Sequence, residues 1–178
     1  MGSSIVPPPV PWPAWTHPEI RLYHGTVRTY AEEIVSFGVD VFKGSATTDF
    51  GRGFYATTDE QNAREWASRK ARRLGEEPAL VRLTFDRLAL GRLESIVFIR
   101  GSLRAKEYWS FVAHCRSGHP HRPGTGDFYA VAYGPVAKIW FGDPNSATWA
   151  DYDQISFHTQ TAQDMLNNRG FCALEVAP

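Results

Sequence analysis

Cysteine, net charge and long apolar runs are scarce in this chain. Its 178 residues include two cysteines, Cys115 and Cys172, so we expect no disulfide framework. Lys and Arg total 19, as do Asp and Glu, and this balance gives no overall field that would favour nucleic acid or an anionic membrane. No apolar run reaches the length of a membrane span, and no secretory signal pattern is visible. We expect a soluble cytoplasmic protein with no membrane partner, or one delivered into a target cell's cytoplasm.

The composition that remains is that of a globular domain. Aromatic residues make up 13% and charged residues 21% of the chain, which suits one domain with a genuine core. Six prolines fall within residues 1–18, so we predict an extended or disordered N-terminal arm there, which acts as a linker or as a ligand for a partner domain. Residues 19–178 form the predicted domain.

Periodicity predicts many short strands interspersed with helices, which is an α+β fold. Predicted strands cover 20–26, 79–85, 95–99, 128–133, 136–141, a segment after Asp151, and 171–176. Predicted helices cover 30–37, 58–74, 103–114 and a segment around 162–166. Turns are expected at Gly134-Pro135 and at 142–145.

The most informative stretch is Asp49 to Asp59, DFGRGFYATTD. Gly51 and Gly53 allow a tight turn and a close approach to a ligand or another strand. Tyr55 then presents a flat ring with a hydroxyl at its tip. Thr58 and Gln61 have the spacing of a capping box, which predicts that the next helix begins with Thr58 as its N-cap.

That helix carries alanines and Trp66 at helical spacing on one face and arginines on the other, and Gly75 is its predicted C-cap. Tyr55 at a strand end and Trp66 on the next helix are core residues on the simplest interpretation. Upstream, a strand ends at His24, Gly25 and Thr26. These residues either serve structural roles or line a pocket, where His24 donates a hydrogen bond and the Gly25 backbone stays accessible.

The loop at 114–127 contains His114, Cys115, His119 and His121, which raises the question of a zinc site. Their spacing fits no standard ligand set, so we expect a plain loop and no metal.

Three separated segments resemble ADP-ribosyltransferases of the diphtheria-toxin and poly(ADP-ribose) polymerase type. LYHGT at 22–26 resembles the first motif of that clan, and FGRGFY at 50–55 resembles the second. Trp66 stands where the clan often has a second stacking tyrosine, and DQISF at 153–157 lies where the third motif is expected. Residues 21–166 also resemble an uncharacterised bacterial family of this clan that has similar DFG-x-GFY-x-T and DQISFHT blocks.

The resemblance implies a split, strongly bent antiparallel sheet that binds NAD+ as substrate, without a metal. By analogy, His24 holds a hydroxyl of the adenine-side ribose, and the Gly25 main chain, next to Thr26, pairs with the nicotinamide carboxamide. Tyr55 and Trp66 sandwich the nicotinamide ring, and Gln154 orients the attached ribose. Beside Gly53, Arg52 or a nearby basic residue meets the pyrophosphate, and the alternative for Arg52 is a solvated surface charge.

Gln154 departs from the glutamate that is usual in the third motif, so it retains hydrogen bonding but loses the charge. Asp151 or Asp153 is a candidate for the missing carboxylate. The implied function is mono-ADP-ribosyl transfer to a protein or nucleic acid by a bacterial toxin or toxin–antitoxin component, which would need an antitoxin or immunity partner. An NAD+ glycohydrolase and a non-catalytic NAD+- or ADP-ribose-binding module are the alternatives.

Overall fold

A computed structural model describes residues 18–100, 105–139 and 148–177. Within these residues the chain forms seven strands and five helices, which confirms the predicted α+β class. The strands are β1 Glu19–Val27, β2 Phe54–Ala56, β3 Pro78–Asp86, β4 Ser95–Val97, β5 Val131–Ile139, β6 Thr148–Phe157 and β7 Cys172–Ala177. The helices are α1 Arg28–Phe37, α2 Glu60–Leu74, α3 Arg87–Leu90, α4 Ala105–Arg116 and α5 Gln160–Asn167. The arm predicted at residues 1–18, apart from Pro18, and the turn predicted at 142–145 lie outside the described residues.

The strands form two sheets. One has the order β1-β3-β7 and the other the order β2-β6-β5-β4. Pairing is antiparallel except between β4 and β5, which are parallel. The core contains large apolar side chains from both sheets, and α1 and α5 contribute Ala31, Ala162 and Leu166 to it. No helix in the described part of the chain has the length and apolar character needed to cross a membrane.

The two sheets meet where β1 passes β2. Tyr23 N–H donates to the Thr57 carbonyl at 2.8 Å, and Thr57 N–H donates to the Tyr23 carbonyl at 3.0 Å. This is an isolated antiparallel bridge. Past it, the His24 ring takes the place of a backbone partner, because its Nδ1 lies 2.6 Å from the Tyr55 carbonyl oxygen. The two strands therefore separate on the side of the bridge that contains His24 and Tyr55.

Helix α2 packs directly against β1. Ala63, Ala67 and Ala71 are its buried residues, as the alanine spacing predicts, and Gly75 is its left-handed C-cap. The predicted N-cap was wrong by one residue, because the Asp59 side chain, not that of Thr58, accepts the Asn62 N–H at 3.0 Å. A carboxylate at the N-cap also complements the positive end of the helix dipole, which favours Asp59 over a hydroxyl.

The turn predicted at Gly134-Pro135 was also wrong, because β5 continues through both residues. Pro135 lies opposite Asp153 of β6, and the register shifts between Pro135 and Ala137. Such an irregularity accommodates a proline inside a strand, because the ladder needs no N–H at that position. It also leaves nearby backbone groups without ladder partners, so that they are available to side chains.

Gly25 offers a direct test of the packing between α2 and β1. A Cβ at Gly25 would collide with the Ala63 carbonyl oxygen and lie 2.9 Å from the Ala67 nitrogen, both in the helix backbone. We expect Gly25→Ala to lower the free energy of unfolding by about 2–4 kcal/mol, because a backbone cannot yield as a side chain can. Urea unfolding followed by circular dichroism measures the loss.

Gly91→Ala is the matched control. Gly91 has a φ of −65°, and a Cβ there would make ordinary contacts at 3.5 and 3.6 Å. We expect a change within about 0.5 kcal/mol of zero. Equal effects of the two substitutions would contradict the packing of α2 on Gly25.

Candidate functional site

The gap between the two sheets opens into a cleft of about 950 Å³. Its volume lies in the range of small-molecule and cofactor sites. Seven of the eight predicted site residues line it: His24, Gly25, Thr26, Gly53, Tyr55, Trp66 and Gln154. Arg52 is exposed and does not line the cleft, and its carbonyl accepts a hydrogen bond from His158 Nδ1 at 2.6 Å.

His24 lines this cleft, and its imidazole ring is neutral. Burial lowers its pKa to about 4, with Lys70 also lowering it, although the hydrogen bond to Tyr55 acts in the opposite direction. Since a carbonyl can only accept, Nδ1 carries the proton, and Nε2 is left with a lone pair. The ring also stacks on Phe54 at 4.5 Å between centroids, which fixes its plane. His24 can therefore accept a hydrogen bond from a ligand hydroxyl.

The Gly25 backbone faces the same gap, and the register shows why. In an antiparallel strand, the N–H and C=O of alternate residues point to the same side. Tyr23 turns both groups toward β2, where Thr57 receives them, so Gly25, two residues on, directs its own groups the same way. Because the strands have separated there, these groups can pair with a planar amide.

Tyr55 forms hydrogen bonds with the segment that precedes it, residues 49–53, which we call the glycine loop. Its hydroxyl donates to the Gly51 carbonyl at 2.7 Å and accepts from Thr48 Oγ1 at 2.7 Å and from Phe50 N–H at 3.0 Å. Burial raises the pKa of this hydroxyl, so it remains protonated. Gly51 has a φ of +72°, a backbone conformation that residues other than glycine rarely adopt. The loop and the ring therefore hold each other in place.

Trp66 is 48% exposed. Its Nε1 donates to Tyr152 Oη at 3.3 Å, and the Arg69 guanidinium lies 5.4 Å from the ring centroid. Tyr55, in contrast, has its edge-on ring contact with His158, with the centroids 6.1 Å apart. Both aromatic side chains thus line the cleft, and each has different neighbours.

Gln154 is held in one orientation by two acceptors of its side-chain amide. Its Nε2 donates to Asp49 Oδ2 at 2.8 Å and to the Pro135 carbonyl at 3.2 Å. A flipped amide would place its oxygen against a carboxylate and a carbonyl, so this orientation is strongly preferred. Both N–H groups are used, and Oε1 accepts nothing from the described residues. Gln154 therefore offers an acceptor oxygen to the cleft.

Asp49 anchors this arrangement, and it is only 7% exposed. Arg116 donates to Oδ1 through Nε at 3.0 Å and through Nη2, and Ala137 N–H donates to Oδ2 at 2.8 Å. Both groups that β5 contributes lie at its irregular register: the Ala137 N–H donates to Asp49, and the Pro135 carbonyl accepts from Gln154. The arginine and the N–H donors around this buried carboxylate hold it in one orientation.

The two other carboxylates considered from the sequence lie elsewhere. Asp151 is exposed, while Asp153 Oδ2 accepts from Tyr133 Oη at 2.9 Å and Oδ1 forms an ion pair with Arg100 at 3.3 Å. Neither residue lines the cleft. Asp49 is the carboxylate that contacts Gln154, and it is the residue that the sequence interpretation overlooked.

Four further cleft residues carried no functional assignment from the sequence. These four, which are part of a larger set of unassigned cleft residues, are Thr48, Lys70, Tyr152 and Arg116. Asp49 and Thr48 stand within or next to the glycine motif, which was a usable signal. Arg116 comes from α4, more than 60 residues away in sequence, and no local pattern connects it to Asp49.

Each histidine of the 114–127 loop has a hydrogen-bond or ring-stacking partner of its own. His114 Nε2 lies 2.7 Å from the Pro120 carbonyl, and His119 stacks on His114 with centroids 5.0 Å apart. Cys115 is buried, and burial raises the pKa of its thiol to about 12. Across the described ranges, no group of three or more His, Cys, Asp or Glu side chains could hold a metal ion.

Two buried histidines instead hold the glycine loop. His121 Nε2 donates to the Phe50 carbonyl at 2.8 Å, since its Nδ1 accepts from Tyr129 N–H at 3.1 Å. His158 Nδ1 donates to the Arg52 carbonyl, and its Nε2 lies 2.7 Å from Ser156 Oγ. Burial lowers the pKa of His121 to about 4 and that of His158 to about 3. Three consecutive carbonyls of the loop are therefore bound by His121, Tyr55 and His158.

These histidines make stability depend on pH. The pKa of a histidine is about 6.5 in the unfolded chain and much lower at these two positions in the folded protein. At a pH between these values, the unfolded chain binds protons that the folded protein does not bind. His24, whose pKa is also lowered to about 4, adds to this effect. Together the three histidines lower the free energy of unfolding as pH falls from about 6.5 to 4, by up to about 3.7 kcal/mol per pH unit near pH 5. Urea titrations at pH 7, 6 and 5 measure this slope.

His158→Asn should remove about a third of that slope, and so should His121→Asn. His119→Gln, at an exposed position, is the control and should leave the slope unchanged. A slope that is the same in wild type and in both variants would contradict the conclusion that His121 and His158 are neutral in the folded protein.

Comparison with known protein families gives a match. A family model described as a protein of unknown function, DUF3990, matches residues 20–140. The match contains His24, the glycine loop and Tyr55, whereas Gln154 lies beyond it. No curated protein matches the chain. Because the family model covers more than half of its 178 residues, this chain belongs to the DUF3990 family.

Proposed function

We propose that the chain is a mono-ADP-ribosyltransferase that cleaves NAD+ at the nicotinamide–ribose bond and transfers ADP-ribose to a protein or nucleic-acid acceptor. The observation that carries the proposal is the convergence of three ligand-binding groups on one cleft. These are the Nε2 lone pair of His24, the open backbone of Gly25 and the fixed Oε1 of Gln154. They come from β1 and β6, which belong to different sheets.

The groups in the cleft suit the chemistry of this bond. When the C1′–N bond breaks, the electron pair leaves with neutral nicotinamide, and the ribose develops oxocarbenium character. The acceptor's nucleophile then bonds to C1′ and loses its proton. Tyr55 and Trp66 provide flat aromatic faces for a cationic pyridinium, each worth about 0.5–2 kcal/mol. The Gly25 backbone forms hydrogen bonds with the carboxamide, and Gln154 Oε1 accepts a hydrogen bond from a ribose hydroxyl.

Asp49 compensates in part for the missing glutamate. Its carboxylate accepts an N–H of Gln154 at 2.8 Å, and this polarises the amide so that Oε1 becomes a stronger acceptor. Acceptors that are held in place before the reaction stabilise developing positive charge without reorganisation. Arg116 offsets the charge of Asp49, so the pair supplies orientation and polarisation and not a full negative charge.

The fold supports the proposal in its general outline. It has two mostly antiparallel sheets joined by one backbone bridge, with a ligand-sized cleft between them, and these features support the split, bent sheet that we propose. On the same inference, the protein acts as a bacterial toxin or toxin–antitoxin component in a cytoplasm, and a producing cell needs an antitoxin or immunity partner.

The absence of a glutamate at position 154 favours one other function, a non-catalytic NAD+- or ADP-ribose-binding module. Both functions use the same cleft, and turnover distinguishes them. Rapid loss of NAD+ without labelled macromolecule would identify a glycohydrolase instead.

The first test uses purified protein and NAD+ labelled in its adenylate part, with and without cell lysate. We expect free nicotinamide together with bound label, which nuclease or protease then assigns to a nucleic acid or a protein. Gln154→Ala should slow nicotinamide release about 100-fold or more, because it removes the fixed acceptor. Gln160→Ala, at an exposed glutamine on α5, is the matched control. Saturable binding with no nicotinamide released over hours would contradict the transferase proposal.

A second test addresses Asp49. Gln154→Glu alone would place a carboxylate against Asp49 Oδ2, so we expect it to be slower than wild type, although it introduces the residue usual in the resembled clan. Asp49→Asn removes that repulsion, and the double variant should be faster than Gln154→Glu alone. The coupling between the two changes is read from nicotinamide release in a double-mutant cycle. Additive effects would contradict the role assigned to Asp49.

A further inference from the structure

Helix α2 presents a cationic cluster to the cleft. Trp66, Arg69, Lys70 and Arg73 all line it, at the spacing of one helical face. Lys70 Nζ donates to Thr26 Oγ1 at 3.0 Å and lies 4.9 Å from the centroid of the Tyr30 ring. Thr26 is fully buried on β1, so the ammonium group is held against the wall of the cleft.

The other lysine and two arginines in the cleft have carboxylate partners. Lys43 pairs with Glu33 at 2.5 Å, Arg69 pairs with Glu65 at 3.0 Å, and Arg116 pairs with Asp49. Lys70 and Arg73 form no such ion pair with any described residue. Glu76 interacts with Lys70 only at longer range, and its Oε2 accepts from Thr29 Oγ1 at 2.7 Å.

Lys70 is therefore a half-buried cation without a neutralising partner. Burial lowers the pKa of its ammonium group, and Arg73 lowers it further. Such a group is costly in the free protein, and an anion that neutralises it recovers that cost. The Thr26 hydroxyl accepts from Lys70 and so fixes the position of the ammonium group.

We propose that Lys70 and Arg73, with Lys70 positioned by the Thr26 hydroxyl, form a subsite for the diphosphate of a nucleotide, which in the proposed function is NAD+. Thr26 lies two residues from His24 on β1, which is about 7 Å along the strand. A ribose whose hydroxyl bonds to His24 carries its phosphate on the same sugar, so the phosphate would fall within reach of Lys70. The assignment rests on the proposed function for the identity of the nucleotide, but not for the chemistry of the subsite.

Calorimetry with ADP and with adenosine separates the phosphate contribution from that of the base and sugar. Lys70→Met keeps the alkyl stem and removes the charge. We expect it to weaken ADP binding about tenfold or more, which is the usual effect of losing a hydrogen bond to a charged group, and to leave adenosine binding unchanged. Arg72→Met is the matched control, since Arg72 is exposed on the same helix and does not line the cleft. Equal weakening by both variants, or no weakening by Lys70→Met, would overturn the subsite.

Kinetics with NAD+ separate this inference from the proposed function. If NAD+ is turned over, Lys70→Met should raise KM with little change in kcat, because the contact is made equally in the ground state and the transition state. Turnover with an unchanged KM would refute the subsite and leave the transferase standing. ADP binding that depends on Lys70 in a protein that releases no nicotinamide would support the subsite and refute the transferase.

A single-stranded DNA 12-mer tests whether the cations serve a nucleic-acid acceptor instead. We expect its binding to respond equally to Lys70→Met and Arg72→Met, because a long polyanion senses the whole face of the helix. If Lys70→Met weakens binding of the 12-mer and leaves ADP binding unchanged, the nucleotide assignment is overturned. Thermal unfolding of each variant verifies that the fold is intact in these comparisons.

Discussion

The backbone bridge between Tyr23 and Thr57 is the constraint on which the rest of the site depends. It joins the two sheets through two hydrogen bonds, of 2.8 and 3.0 Å, and the strands part immediately beyond it. If β1 and β2 had continued as a ladder, the Gly25 backbone would be paired and the cleft closed. The His24 ring bonds to Tyr55 in the place of that ladder, so the separation is built from a specific contact and does not come from disordered strands.

The second constraint is the order of the glycine loop. The carbonyls of Phe50, Gly51 and Arg52 are each bound by a protonated side-chain donor, and Asp49 at the start of the loop is bound by a guanidinium group, a backbone N–H and an amide. A loop that contains glycine with a positive φ is expensive to fix in one conformation. Neutral buried histidines suit this purpose, because they donate hydrogen bonds without bringing a charge into the core. These hydrogen bonds hold the glycine loop in one conformation next to the residues that line the cleft.

Much of this arrangement follows from local sequence patterns. Alternation located β1 and β3, and the alanine spacing located the buried face of α2, because each signal depends on residues that are neighbours in sequence. The failures also have physical causes. The capping box at Thr58 competed with Asp59 one residue later, and a carboxylate binds the helix N-terminus better. The Gly134-Pro135 pair has the local signature of a turn, but pairing with β6 overrides that preference and converts it into an irregular strand.

The sequence by itself determined the segments that supply the candidate site, because His24, Tyr55 and Trp66 stand at the ends or on the faces of elements with clear periodicity. Only the tertiary structure decided which charges act there. Arg52 was placed in the site by its position in a motif, yet its side chain is exposed outside the cleft, and Lys70 and Asp49 were not assigned although they line it. Whether a charged side chain faces a cleft or solvent depends on how sheets and helices pack across long sequence separations, and short motifs contain no information about that packing.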